Sequence, residues 1–224
     1  MGSAAGAGPG AGPESAVGPL DAARHAARGS RVPGSVQGGE RYDAGPMPRN
    51  IEIKARVPDM AALYPRALTL ATAPEQRLVQ DDEFFRVPVG RLKLRRFADG
   101  SAELIHYQRS DGPEARASEY LRVPLVEGGT LQALLHRALG AGAALGRVRK
   151  QRTLLMHGRT RIHLDQVEGL GNFMELEVVL AEGEADATGV AEAEALMQQL
   201  GLADAPRVAG SYFDLLQAQA GGSR

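Results

Sequence analysis

From Arg49 onward the chain alternates between charged and apolar side chains, segment after segment. Asn50, Glu52, Lys54 and Arg56 fall on one phase of the first segment; Ile51, Ile53, Ala55 and Val57 fall on the other. A period of two is that of a β-strand, whose successive side chains point to opposite faces. The split recurs in Arg91-Leu92-Lys93-Leu94-Arg95, around Lys150 and Arg152, in Arg161, His163 and Asp165 against Ile162 and Leu164, and in Glu175 and Glu177 against Met174, Leu176 and Val178. Such a chain must form a sheet with one apolar and one strongly charged face. The charges also segregate by strand, with cations in the middle segments and carboxylates dominating the first and last.

Turn and cap signals divide this region into further elements. Strands are expected over 76–85, 91–97, 101–109, 117–123, 147–156, 159–165 and 173–180, and Ala98-Asp99-Gly100 marks a hairpin. Asp59 can cap a short helix to Leu70 that Pro65 would kink, Thr130 opens a helix stopped by Gly140, and Thr188 caps one stopped by Gly201. Residues 208–216 read as a short closing segment. About eight strands and three helices without a βαβ rhythm argue for an antiparallel α+β fold. The first 46 residues differ: with 11 Gly, 5 Pro and few large apolar residues they cannot offset their chain entropy, so 1–46 is expected to be a disordered tail. The folded domain is expected over 47–216, and 217–224 as a flexible tail.

Alternation alone leaves two arrangements open. The charged face can lie in water while helices cover the apolar one. Alternatively, the sheet closes with its charged face inward; a barrel of about eight strands encloses room for side chains or one small ligand. Clustered cations inside would bind a polyanion, and neighbouring carboxylates would hold a hard cation. Lysine usage fits the second arrangement: the chain's 3 lysines, Lys54, Lys93 and Lys150, against 23 arginines, all lie on the charged strand faces.

Other classes are disfavoured. A net charge of -1 gives no broad cationic field for nucleic acid or an anionic membrane. No stretch approaches the roughly 18 apolar residues that span a bilayer, and the tail has no continuous apolar core of a secretory signal. With Cys 0 there is neither disulfide nor thiolate chemistry, which suits a reducing, cytoplasmic setting. His106, His136, His157 and His163 lack zinc spacing, and there is no GxSxG elbow or P-loop.

Asn50-Ile51-Glu52-Ile53-Lys54 resembles the ExExK signature of the CYTH superfamily, the triphosphate tunnel metalloenzymes. Gly90-Arg91-Leu92-Lys93-Leu94-Arg95 and Arg149-Lys150-Gln151-Arg152 follow in the family's order. The run from Arg161 through Leu164-Asp165 and Gly169-Leu170-Gly171 to Glu175-Leu176-Glu177 is similar to the class IV adenylyl cyclase branch, with thiamine triphosphatase a more distant relative. The resemblance covers about residues 48–216. It implies an eight-stranded closed antiparallel barrel with flanking helices, acting on a triphosphate with Mg²⁺ or Mn²⁺. Carried over by position, the metal would fall to Glu52, Glu175 and Glu177, with Asp165 as a further candidate. Phosphate would fall to Lys54, Lys93, Arg95, Lys150, Arg152 and Arg161, with Arg109 a candidate of ambiguous register. Lys54 would also orient or activate the attacking water. One position departs from the pattern: the first Glu of ExExK is Asn50, which offers a metal an oxygen without a charge.

The resemblance leaves three functions: a triphosphate hydrolase, an adenylyl cyclase releasing pyrophosphate, and a polyphosphate-binding module without turnover. Hydrolysis needs the fewest specific parts and is the leading expectation. The partner is then a small triphosphate such as ATP, thiamine triphosphate or tripolyphosphate, with a homodimer left open.

Overall fold

The alternating segments pair edge to edge, every pair antiparallel, until the sheet closes on itself. In the computed structural model, residues 47–109 and 112–222 are described, and the segment 1–46 expected to be disordered lies outside them. In chain order the elements are β1 (Arg49–Arg56), α1 (Met60–Leu70), β2 (Gln76–Phe85), β3 (Arg91–Phe97), β4 (Ala102–Arg109), β5 (Arg116–Leu125), α2 (Gly129–Leu139), β6 (Ala144–His157), β7 (Thr160–Val167), β8 (Gly171–Val179), α3 (Asp186–Gln199) and α4 (Tyr212–Gly222). Around the barrel the strands run β1-β5-β4-β3-β2-β6-β7-β8 and return to β1. Closure removes the open edges a sheet would otherwise expose.

The apolar phase of the alternation faces outward, and helices cover it. Ile51, Ile53 and Ala55 of β1, Leu155 of β6, Ile162 and Leu164 of β7, and Met174, Leu176 and Val178 of β8 pack with Leu63 and Ala67 of α1 and with Ala193, Leu196 and Met197 of α3. Helix α3 comes so close to β1 that a Cβ on Gly189 would stand 2.6 Å from Ile51. Truncating a member of this layer, such as Ile53→Ala, would cost about 2–5 kcal/mol through lost burial and a cavity. Helix α2 places Leu135 on Phe85, Leu94 and Ala102.

Local signals explain most boundaries. Asp59 caps α1 by accepting from the Ala62 amide at 3.0 Å, and the helix runs through Pro65 to Leu70. The β3–β4 hairpin turns at Gly100, whose φ of 87° favours glycine, with the Asp99 carboxylate accepting from the Ser101 amide. Two expectations differ. Helix α3 begins at Asp186, so Thr188 lies inside its first turn and does not cap it. There are four helices among the described residues, because 212–222 is helical and takes in most of the expected tail. The signal was present: Ser211 and Asp214 form a reciprocal cap, the Ser211 amide donating to Asp214 Oδ2 at 2.7 Å and the Asp214 amide to Ser211 Oγ at 3.2 Å. Helix α4 then stacks Phe213 on Phe84 and sets Tyr212 edge-on to Phe173 at one end of the barrel.

Candidate active site

Because the apolar phase of β1, β7 and β8 faces the helices, their charged phase faces the barrel interior, where the inward phases of the other strands add further charged and polar side chains. The cavity there has a volume of about 330 Å³ and is lined from all eight strands, with Ser211 and Tyr212 contributing at the α4 end. Burying so many ions is unfavourable unless each is paired, and the interior is an interlocked set of pairs.

Two Lys-x-Arg pairs dominate one wall. On β3, Arg95 donates to Asp82 through Nε at 2.7 Å and Nη2 at 2.8 Å, and Lys93 Nζ reaches the same carboxylate at 2.8 Å. On β6, Arg152 donates to Asp165 through Nε and Nη2, both at 2.6 Å, and Lys150 Nζ lies 3.4 Å away. The Tyr212 hydroxyl also donates to Asp165, at 2.8 Å, and the Tyr212 ring lies under Lys54 and Lys150. Burial, followed by the Arg152 charge, pushes Lys150 down to about 7. Burial and then Arg95 lower Lys93 as well. Burial alone would raise Asp82, but Arg95 and Lys93 outweigh it and hold the carboxyl well below its ordinary range.

The opposite wall is acidic. Glu175 lies across from Lys54, with Oε1 3.2 Å from Nζ, and its other oxygen accepts from Arg152 at 2.8 Å. Glu177 accepts from Arg161 at 3.1 Å, and Glu52 lies 3.4 Å from Lys54 and is bonded by Arg109. Burial works against the Glu175 charge, yet Lys54, the neighbouring His163 and Arg152 hold its carboxyl well below normal. His163 is lowered by burial and then by Arg152, which favours neutral imidazole.

These residues include a group suited to a cation. Ligand atoms of His163, Glu175 and Glu177 lie within 4.8 Å of one another. Glu52 stands opposite Glu177 in register. His163 Nδ1 and the Asn50 side-chain oxygen are buried without a hydrogen-bond partner. Anionic and neutral oxygens of this kind fit a hard divalent cation.

The family of CYTH domains matches residues 48–212, which take in all eight strands and the start of α4. This chain belongs to the CYTH family. CYTH proteins are triphosphatases or adenylyl cyclase-like enzymes. Several solved structures share the fold. An adenylate cyclase candidate from Vibrio parahaemolyticus is 23% identical with a TM-score of 0.62, over 75% of this chain and 97% of that one. The PH1012 protein of Pyrococcus horikoshii is 21% identical with a TM-score of 0.60, over 68% and 90%. HpAC1 of Hippeastrum, an adenylyl cyclase candidate described as having a dominant triphosphatase activity, is 18% identical with a TM-score of 0.54, over 76% and 96%. No curated protein sequence matches.

Within this CYTH barrel, Lys54, Lys93, Arg95, Arg109, Lys150, Arg152 and Arg161 all line the cavity, as do Glu52, Glu175 and Glu177. The ambiguous Arg109 proves to be inward, paired across β4–β5 with Ser118. Asp165 is the exception. It lies outside the cavity lining and the His163–Glu175–Glu177 group, with both oxygens engaged by Arg152 and one also by Tyr212. Direct opposition to Arg152 in register explains this, so the expectation of Asp165 as a metal ligand is not carried forward. Sequence reasoning missed Asp82, Tyr120 and Tyr212, which also line the cavity. Asp82 had no signal of its own in the sequence: it shares the inward phase of β2 with Gln80 and Phe84, but the opposite phase carries Asp81 and Glu83. No helix of the described residues is long and apolar enough to cross a membrane.

Proposed function

We propose that this CYTH protein is a divalent-metal-dependent enzyme that hydrolyses a triphosphate held inside its barrel. The observation that carries the reading is the convergence on one cavity of two Lys-x-Arg pairs with Arg109 and Arg161, facing Glu52, Glu175 and Glu177. Lys93, Arg95, Lys150, Arg152, Arg109 and Arg161 would bind phosphate oxygens. Glu52, Glu175 and Glu177 would hold Mg²⁺ or Mn²⁺, which when bound neutralises phosphate charge. Lys54, 2% exposed and set between Glu52 and Glu175, would orient the attacking water.

In the reaction the water oxygen forms a bond to the terminal phosphorus as the bond from that phosphorus to the bridging oxygen breaks. A triphosphate and water thus yield a diphosphate, orthophosphate and a proton. Little covalent chemistry is asked of the protein, because placement and charge stabilisation carry most phosphoryl transfer. The dominant triphosphatase activity described for the Hippeastrum relative supports hydrolysis over cyclisation. A cysteine-free chain without a membrane-spanning helix among its described residues suits the cytoplasm.

Phosphorus NMR of the full chain with Mg²⁺ or Mn²⁺, ATP and tripolyphosphate tests the proposal. Orthophosphate growing from either substrate is the expected result, and shows which head group is preferred. Pyrophosphate with cyclic AMP would replace hydrolysis by cyclisation. Binding without any product, thiamine triphosphate included, would leave a binding module.

A further inference from the structure

Asp82 and Asp165 grip their arginines in the same way on different strand pairs. Asp82 of β2 stands opposite Arg95 of β3, and Asp165 of β7 stands opposite Arg152 of β6. Each carboxylate takes the Nε and Nη2 hydrogens of its arginine, and each is reached by the lysine two residues earlier, Lys93 or Lys150. The side chains of Asp82 and Asp165 are 3% and 0% exposed. One device therefore occurs twice.

A guanidinium is a rigid plane with separate donor edges. When a carboxylate takes the Nε–Nη2 edge, the Nη1–Nη2 edge is turned toward whatever lies beyond, in a fixed orientation. Arg95 and Lys93 line the cavity together with Asp82 itself. Electrostatically, Asp82 is badly placed: a buried negative charge beside a polyanion site repels the ligand. Its benefit to that site must then be geometric.

We propose that Asp82 is a positioning residue for phosphate binding, gripping Arg95 and Lys93 so that the guanidinium presents its second donor edge to the triphosphate. The proposal deepens the triphosphate reading above and rests on it. Asp82 acts through the two cations and leaves phosphate contact to them.

The two roles give opposite signs, so metal-free tripolyphosphate binding to the full chain, measured by calorimetry, decides between them. Positioning requires Asp82→Asn to weaken binding on the order of 10- to 100-fold, the range for a charged hydrogen-bond pair. It also requires Asp82→Glu, which keeps the charge but displaces the carboxylate, to bind weakly. Unchanged or tighter binding by Asp82→Asn, or parent-like binding by Asp82→Glu, overturns it. Should Asp82→Asn not fold, Arg95→Gln is compared with Asp82→Asn/Arg95→Gln. Affinities within about twofold, or a further loss smaller than that expected for Asp82→Asn alone, support action through Arg95 and Lys93, and tighter binding by the double variant overturns it. A parent chain that binds no tripolyphosphate would instead overturn the triphosphate reading itself.

Discussion

Lys54 and Glu175 face each other directly across β1 and β8, both buried, with Nζ 3.2 Å from Oε1. One residue belongs to the expected water-orienting role and the other to the expected metal site, and here each neutralises the other. The same holds for Arg152 with Glu175, for Arg161 with Glu177 and for Arg109 with Glu52. On the proposed function, ligand binding would exchange partners within a prepared set: a metal would take carboxylates, and phosphates would take the cations those carboxylates release. Both are needed together, since removing one side alone leaves buried charge unpaired.

Glu177 is the cleanest probe of the metal side, because its side chain is 20% exposed and its one short ion pair is to the part-exposed Arg161. Glu177→Gln deletes a ligand charge at nearly constant volume. We expect apparent Mg²⁺ affinity to fall on the order of 10- to 100-fold, while stability changes by about 1 kcal/mol or less. Metal titrations of activity and of calorimetric heat, beside a thermal melt, check both parts. Parent-like metal affinity would remove Glu177 from the site.

Asp165 should behave in the opposite way. It is fully buried against Arg152, Lys150 and Tyr212, so Asp165→Asn strands buried cations and should cost about 3–5 kcal/mol without any metal present. Although burial opposes its charge, Arg152 and Lys150 lower its carboxyl below the ordinary value of 3.8. The stability it contributes is thus present above the unfolded-state value and is lost as pH falls through the lower folded-state value. Acid unfolding followed by circular dichroism should show the variant already weakened at pH 7 and less sensitive to further acid. A metal-free stability equal to the parent's would contradict this.

The sequence made much of this legible, and the reason is the period of two. Once β1 is a strand, Asn50, Glu52 and Lys54 must share a face, and the same rule groups Lys93 with Arg95, Lys150 with Arg152, and Glu175 with Glu177. What the period cannot say is whether that face meets water or other strands; closure depends on pairings between residues far apart, such as Glu52 with Glu177. Pairing also decides roles within a face. Asp165 and Glu175 are both inward-phase carboxylates, yet only Asp165 stands opposite Arg152 and is consumed by it. Asp82 escaped notice because its meaning lies in its cross-strand register with Arg95. Helix α4 escaped because its cap, Ser211 with Asp214, sits in a segment whose few apolar residues also fit a strand.

Lys150 should give the proposed triphosphate binding a pH dependence. At about 7, it is charged below neutral pH and largely neutral at pH 8 in the free protein. A bound polyanion favours the charged form, so binding raises its pKa and takes up a proton. Affinity should therefore fall as pH rises through 7 toward the raised value. Calorimetry at pH 8 in two buffers of different ionisation heat should register the uptake, and Lys150→Arg, which stays charged throughout, should abolish it. Equal uptake in that variant would assign the proton elsewhere.

Asn50 is where this chain departs from the ExExK pattern, and the structure gives the departure a physical content. The residue is 5% exposed on the inward face of β1, and its side-chain oxygen has no hydrogen-bond partner. A buried amide oxygen left unpaired costs stability unless a ligand completes it, and a hard cation bound beside Glu52 would do so. As a neutral donor it supplies less attraction than a carboxylate, since affinity for hard cations rises with the charge of their ligands. Asn50→Glu should then tighten Mg²⁺ or Mn²⁺ binding on the order of tenfold and lower the metal concentration needed for half-maximal turnover. Isothermal titration with each metal, paired with initial rates on tripolyphosphate, measures both. If affinity and rate match the parent, the first position of the signature plays no part in holding metal in this protein, and the site is complete with Glu52, Glu175 and Glu177.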